Sequence, residues 1–119
     1  VRDHRSLEAW KEARKVSLAS LDASREHWKP YAAALFGQLQ RAALSIQLNI
    51  AEGYALGGKK SFANHLRIAY GSAMETGELL ELAMVKGILP ESLARETLGN
   101  CFRCQRLLLG LIKRYRRPD

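Results

Sequence analysis

Ser45-Ile46-Gln47-Leu48-Asn49-Ile50-Ala51-Glu52-Gly53 lies in a long apolar segment that is almost uncharged. From Tyr31 to Gly58 the only ionised side chains are Arg41 and Glu52. Leu35, Leu39, Ala42, Ile46, Asn49 and Gly53 recur at alternating steps of four and three, the spacing of a helix seam in a bundle. Phe36, Ala43, Ile50 and Tyr54 form a second row, and Leu44, Leu48, Ala51 and Ala55 a third. An ordinary surface helix has one apolar stripe and a charged opposite face. Three rows exceed what one four-helix bundle buries, so this helix is expected to be covered partly from outside its own chain.

The flanking segments carry the same period. Helices are expected over about residues 6–25, 31–55, 60–86 and 90–117. Ser6 is a candidate N-cap for the first, with Glu8 suited to its positive end and Leu7, Trp10, Ala13, Val16 and Leu21 as its stripe. Phe62, Leu66, Ala69, Ala73, Thr76, Leu80 and Ala83 form the seam of the third, and Cys101, Cys104, Leu108, Leu111 and Tyr115 that of the fourth. Pro30, Gly57-Gly58, Gly87 and Pro90 punctuate the series. Gly71 and Gly77 each cost about 1 kcal/mol against alanine in a helix interior, so a neighbouring backbone is expected close by. No alternating apolar–polar run marks a strand. The reading is all-α: an antiparallel up-down-up-down four-helix bundle, a single domain over residues 1–119.

The net charge is +7, which favours acidic partners such as nucleic acid. Its distribution says more. Arg103, Arg106, Lys113, Arg114, Arg116 and Arg117 lie at the C-terminal end with no acidic residue among them, and they are the candidate nucleic-acid-binding residues. Tyr115 in their midst is suited to stacking on a base. The bland alternative is a solvated helix end whose cations complement the helix dipole. The apolar helix holds too many polar groups for lipid, and no signal peptide is read, so a cytoplasmic protein without a membrane partner is expected.

Known catalytic patterns fit poorly. Cys101-Phe102-Arg103-Cys104 is a lone C-x-x-C with no second pair for zinc and no βαβ context for thiol redox work. Buried, reduced thiols are expected instead. Glu75, Glu78 and Glu81 lack the Glu-x-x-His motifs of di-iron bundles. Gly53, Gly58 and Lys59 share the spacing of a phosphate loop, but Lys60 stands where its serine or threonine belongs and no strand precedes it. Neither an enzyme activity, a metal nor a cofactor is expected.

Three ordered blocks resemble a known family, the small bacterial four-helix-bundle proteins encoded within intervening sequences of 23S ribosomal RNA genes. The pattern R-A-x-x-S-I-x-x-N-I-A-E-G is met from Arg41 to Gly53. Leu7, Trp10 and Ala13 match an opening D-L-x-V-W-x-x-A, with Ser6 and Ala9 as departures. Phe62, Leu66, Ala69, Gly71, Ser72 and Glu75 match F-x-x-x-L-x-x-A-x-G-S-x-x-E. The resemblance implies a left-handed bundle assembled into a ring of five. It also implies similarity to the accessory protein of diversity-generating retroelements, a basic pentameric barrel that binds a reverse transcriptase and nucleic acid. It offers no catalytic residue to carry over.

The functional expectation is a non-enzymatic homo-oligomer, by resemblance a pentamer, that binds RNA, DNA or a ribonucleoprotein partner through basic surface. A reverse-transcriptase-like partner is implied by the resemblance, and a protein–protein adaptor is the rival reading. The structural motif is expected to comprise Trp10, Arg41, Asn49, Glu52, Gly53, Gly71 and Glu75. A hairpin centred on Gly57-Gly58 places Arg41 level with Glu75, predicting an ion pair across the seam. The same reasoning about the first turn places Trp10 beside Asn49 and Glu52, either of which would accept its indole N–H.

Overall fold

The computed structural model describes residues 3–115. Among them are four α-helices and no strand: α1 (Glu8–Glu26), α2 (Ala33–Leu56), α3 (Lys59–Val85) and α4 (Glu91–Tyr115). Short 3-10 turns at His4–Ser6 and Pro30–Ala32 precede α1 and α2. Neighbours in sequence are neighbours in space, and α4 closes against α1. The resulting helical bundle measures 49 × 21 × 20 Å.

Local chemistry sets the ends. Ser6 lies within the 3-10 turn, so the residue before α1 is Leu7, which supplies no side-chain cap. Pro30 opens the second 3-10 turn, where its fixed φ and missing N–H cost nothing. Gly57 and Gly58, at φ 73° and 82°, turn the chain between α2 and α3 within two residues, in a conformation L side chains resist. Gly87, at φ 68°, ends α3. There the Ile88 N–H reaches the Ala83 carbonyl at 2.8 Å and the Gly87 N–H the Met84 carbonyl at 3.1 Å, the paired bonds of a Schellman cap. Ile88 and Leu89 then fold into the core. The Lys29 ammonium ties this turn to the α1–α2 connection, donating at 2.9 Å to both the His27 and Ile88 carbonyls.

The core is built from Phe36, Leu39, Ile46 and Ile50 of α2, Leu66 and Leu80 of α3, Leu108 of α4 and Val16 of α1, with alanines filling the close approaches. All seven seam residues expected on α3 are buried. On α1 the expected stripe needs correction. Leu18 and Leu21 face outward, while Ser17, Ser20 and Ser24 are buried. Small size outweighs hydropathy here, because small residues let α1 sit close to α2. Two of the hydroxyls recover hydrogen bonds: Ser17 donates to the Ala43 carbonyl at 3.2 Å and Ser24 to the Ser20 carbonyl at 2.8 Å. Ser20 Oγ is buried with no partner among the described residues. An orphaned buried hydroxyl costs about 1–3 kcal/mol. Ser20→Ala is therefore expected to raise stability by about 1 kcal/mol in urea denaturation, and a loss of that size would show that a water serves the hydroxyl.

Candidate nucleic-acid interface

On α4, Cys101, Cys104, Leu108 and Ile112 face the core. At 100° per residue, Gly99, Arg103, Arg106, Gly110 and Lys113 fall on the opposite side, again at four-three spacing. Arg106, Lys113 and Arg114 are exposed and, among the described residues, none lies within ion-pair distance of a carboxylate. Open space lies above Gly99 and Gly110. Arg114 lies 5.7 Å from the Tyr115 ring centroid, a cation–π contact. Arg116 and Arg117 lie outside the described residues.

Arg103 differs from its neighbours. Its guanidinium lies 3.4 Å from Glu12 of α1, whose carboxylate is buried and also held by Lys15 at 3.1 Å. Arg103 thus neutralises a buried carboxylate and clamps α4 to α1. Glu12 is separated from it by nearly the whole chain, so residue spacing gave no sign of the pairing. Two further basic residues of α1 are engaged, Lys11 with Glu8 at 3.1 Å and Arg25 with Asp22 at 3.9 Å. Net charge alone therefore overstates the cations free to meet phosphate.

Of the motif residues, Asn49, Glu52 and Gly53 lie along the seam between α2 and α3. Ser72 donates to Ser45 Oγ at 2.8 Å, and the Asn49 amide donates to the Ser45 carbonyl at 2.9 Å and its hydroxyl at 3.1 Å. One turn further, Glu52 lies 3.6 Å from His65 Nε2, while His65 Nδ1 donates to the Ser61 carbonyl at 2.9 Å. Gly53 sits beneath His65: a Cβ there would lie 2.5 Å from the His65 Cβ and 3.2 Å from Phe62. The glycine is what lets the two helices meet at this point.

Three expectations do not hold at the level of contacts. Arg41 donates to Gln38 on its own helix at 3.1 Å, and no ion pair joins it to Glu75. Both face solvent, where a pair is worth little. Trp10 packs edge-on against His4, with centroids 5.2 Å apart, while Asn49 and Glu52 turn to α2 and α3 partners. The Ser17–Ala43 bond still puts Trp10 level with Ile50, so height was legible and azimuth was not. Gly71 has nothing within 4 Å of its Cβ position, whereas Gly77 lies against Gln105 at 3.3 Å and Cys101 at 3.9 Å of α4.

The cysteines are packed thiols. Cys101 donates to the Ala73 carbonyl at 3.2 Å and Cys104 to the Ala9 carbonyl at 3.6 Å. Burial pushes Cys101 up from 9.0 to about 11. Burial, then the neighbouring Cys101 and Glu12, push Cys104 up to about 12. The unfolded chain therefore releases these protons first, and stability falls as pH rises from about 9 toward 11–12. Each pH unit in that window removes up to ~1.4 kcal/mol per thiol. Between pH 8 and 10, the wild-type urea midpoint should drop further than that of Cys101→Ala; equal drops would place the sensitivity elsewhere. Among the described residues no group of three His, Cys, Asp or Glu side chains is arranged to hold a metal ion. No described helix is long and apolar enough to cross a membrane.

A feature that residue spacing did not single out lies where α4 ends beside the α2–α3 turn. Tyr54 and Phe62 meet edge-on at 5.5 Å, and Phe62 and Tyr115 at 5.0 Å. These rings, with Gly57, Gly58 and Lys59, line an open cavity of about 190 Å³. Hairpin register brings Tyr54 to Phe62, but only the packing of α3 on α4 brings Tyr115.

A model of the 23S rRNA-intervening sequence protein family matches residues 5–110. The crystal structure of a protein of unknown function from the S23 ribosomal protein family of Bacteroides thetaiotaomicron superposes with a TM-score of 0.79. It is 21% identical, with 88% of this chain and 98% of that chain covered, a likeness of fold. Comparison with curated proteins gives no match.

Proposed function

The chain belongs to the 23S rRNA-intervening sequence protein family, and from that premise we propose a non-enzymatic, self-associating bundle that binds nucleic acid through the outward face of α4. The carrying observation is the set Arg106, Lys113 and Arg114, three cations without carboxylate partners among the described residues, beside glycines that leave the helix surface open. Such a face neutralises phosphates and releases counterions without reading sequence. The bundle is read as antiparallel and up-down-up-down. Gly53 meeting Phe62 and His65 while Ser45 meets Ser72 supports opposite directions for α2 and α3.

Self-association rests on a second surface. Leu48 is 61% exposed, and Ile68, 53% exposed, stands at the same height on α3 by the Ser45–Ser72 register. Leu82 and Val85 extend this strip along the same face of α3, where Gly71 opens and Glu75 and Glu78 interrupt it. Exposed apolar area of this kind marks an interaction surface. Five subunits is the number carried by the resemblance. A ring repeats each weak phosphate contact by symmetry, so affinity accumulates through multivalency. The reading assigns the protein to the cytoplasm, where its two free thiols stay reduced.

The apolar strip also favours a second reading, an adaptor whose charge serves solubility, and a reverse-transcriptase-like partner is carried by the resemblance alone. Light scattering of gently purified protein, with sequencing of nucleic acid released by high salt, separates these readings. The proposal expects a multiple of 13.4 kDa together with bound nucleic acid. An oligomer free of nucleic acid favours the adaptor, and a 13.4 kDa monomer at micromolar concentration contradicts self-association.

A further inference from the structure

We propose that the cavity between the α2–α3 turn and the end of α4 receives one unpaired nucleobase of a single-stranded nucleic acid. The inference rests on the nucleic-acid reading and adds to it a specific pocket and a strand preference. Tyr54, Phe62 and Tyr115 supply three aromatic walls, joined edge to face at 5.5 and 5.0 Å. Phe62 is buried against both tyrosines, so the half-buried Tyr54 and Tyr115 are the rings that meet a flat guest, and aromatic stacking takes bases without regard to their identity.

Charge and size select the same occupant. Lys59 lines the cavity and the Arg114 guanidinium lies 5.7 Å from the Tyr115 ring centroid, so the phosphate of a bound base meets cations. An apolar peptide side chain has no use for that rim. At about 190 Å³ the space is smaller than the ~300–1,000 Å³ of sites for drug-sized ligands, and it admits a single planar ring. A base inside a duplex is stacked on both faces and must be flipped out to enter. The pocket therefore favours single strands, while the outward face of α4 holds single and double strands alike.

Gly57 and Gly58 complete the pocket. Their Cβ positions have nothing within 4 Å, so the turn beside the rings is bare of side chains. A ribose and its phosphates pass over this turn as the base enters.

The test uses the full chain and fluorescence anisotropy with a labelled 12-nucleotide RNA, single-stranded or annealed to its complement, at low salt. Tyr115→Leu keeps apolar packing against Phe62 and removes the stacking face; Lys59→Gln removes a rim charge. Circular dichroism checks the fold of each variant. Tyr115→Leu is expected to weaken single-strand binding by about 5- to 100-fold and leave duplex binding unchanged. With 2-aminopurine in the strand, wild-type protein is expected to quench its fluorescence and Tyr115→Leu is not. Equal losses for both RNAs, or unchanged single-strand affinity in a folded variant, would overturn the pocket while leaving the α4 face intact. If wild-type protein binds neither RNA, the nucleic-acid reading itself fails and the pocket falls with it.

Discussion

Gly53→Ala is expected to destabilise the protein by about 2–3 kcal/mol, although alanine is the better helix former by about 1 kcal/mol. The added methyl would lie 2.5 Å from the His65 Cβ and 2.9 Å from its Cγ. A Cβ is fixed to the backbone of α3 and cannot swing aside, so the two helices must part. Separation there weakens the Glu52–His65 contact and the packing of Tyr54 on Phe62. Gly99→Ala is the matched control, since its Cβ position meets nothing within 4 Å and the change should stabilise by up to about 1 kcal/mol. Urea midpoints at one fixed protein concentration make the comparison. If both variants gain stability, the close approach at Gly53 is wrong.

Joint replacement of Arg106, Lys113 and Arg114 with glutamine is expected to reduce nucleic-acid affinity by at least about tenfold at low salt. Removing one cation from a phosphate lowers the slope of log K against log salt by about 1, so the slope should flatten by up to about 3 for each engaged subunit. Mass and helicity should stay unchanged, because the three side chains are exposed and make no ion pair among the described residues. Replacing Arg103 is a different experiment. It releases Glu12, a buried carboxylate, and stability should fall along with any change in binding. Binding that survives the triple change with its salt slope intact would move the interface away from α4.

Four-three spacing located the buried seam of α3 residue by residue, because Phe62, Leu66 and Leu80 anchor a period that three alanines and Thr76 fill without a break. On α1 the same reasoning counted Leu21 in the stripe, where it faces outward, while Ser17 and Ser20 are buried. Hydropathy is silent where the deciding quantity is the width of a side chain. Hairpin register gave the heights of Arg41 and Glu75 correctly enough to make them level, yet both point outward, where water competes for each charge. The motif from Ser45 to Gly53 could be recognised as a block. Its work as a polar seam with Ser72 and His65 needed the facing helix. At the candidate interface, composition named the basic residues of α4. It could not separate Arg103, committed to Glu12, from Arg106, nor bring Tyr115 to the rings at the α2–α3 turn.

Binding of wild-type protein to a labelled RNA, followed by anisotropy from about 50 to 200 mM salt, tests the central claim most directly. The account predicts measurable affinity at low salt for RNAs of unrelated sequence, with log K falling linearly and steeply as log salt rises. Absence of affinity at the lowest salt, or an affinity indifferent to salt, would contradict phosphate binding by the α4 face.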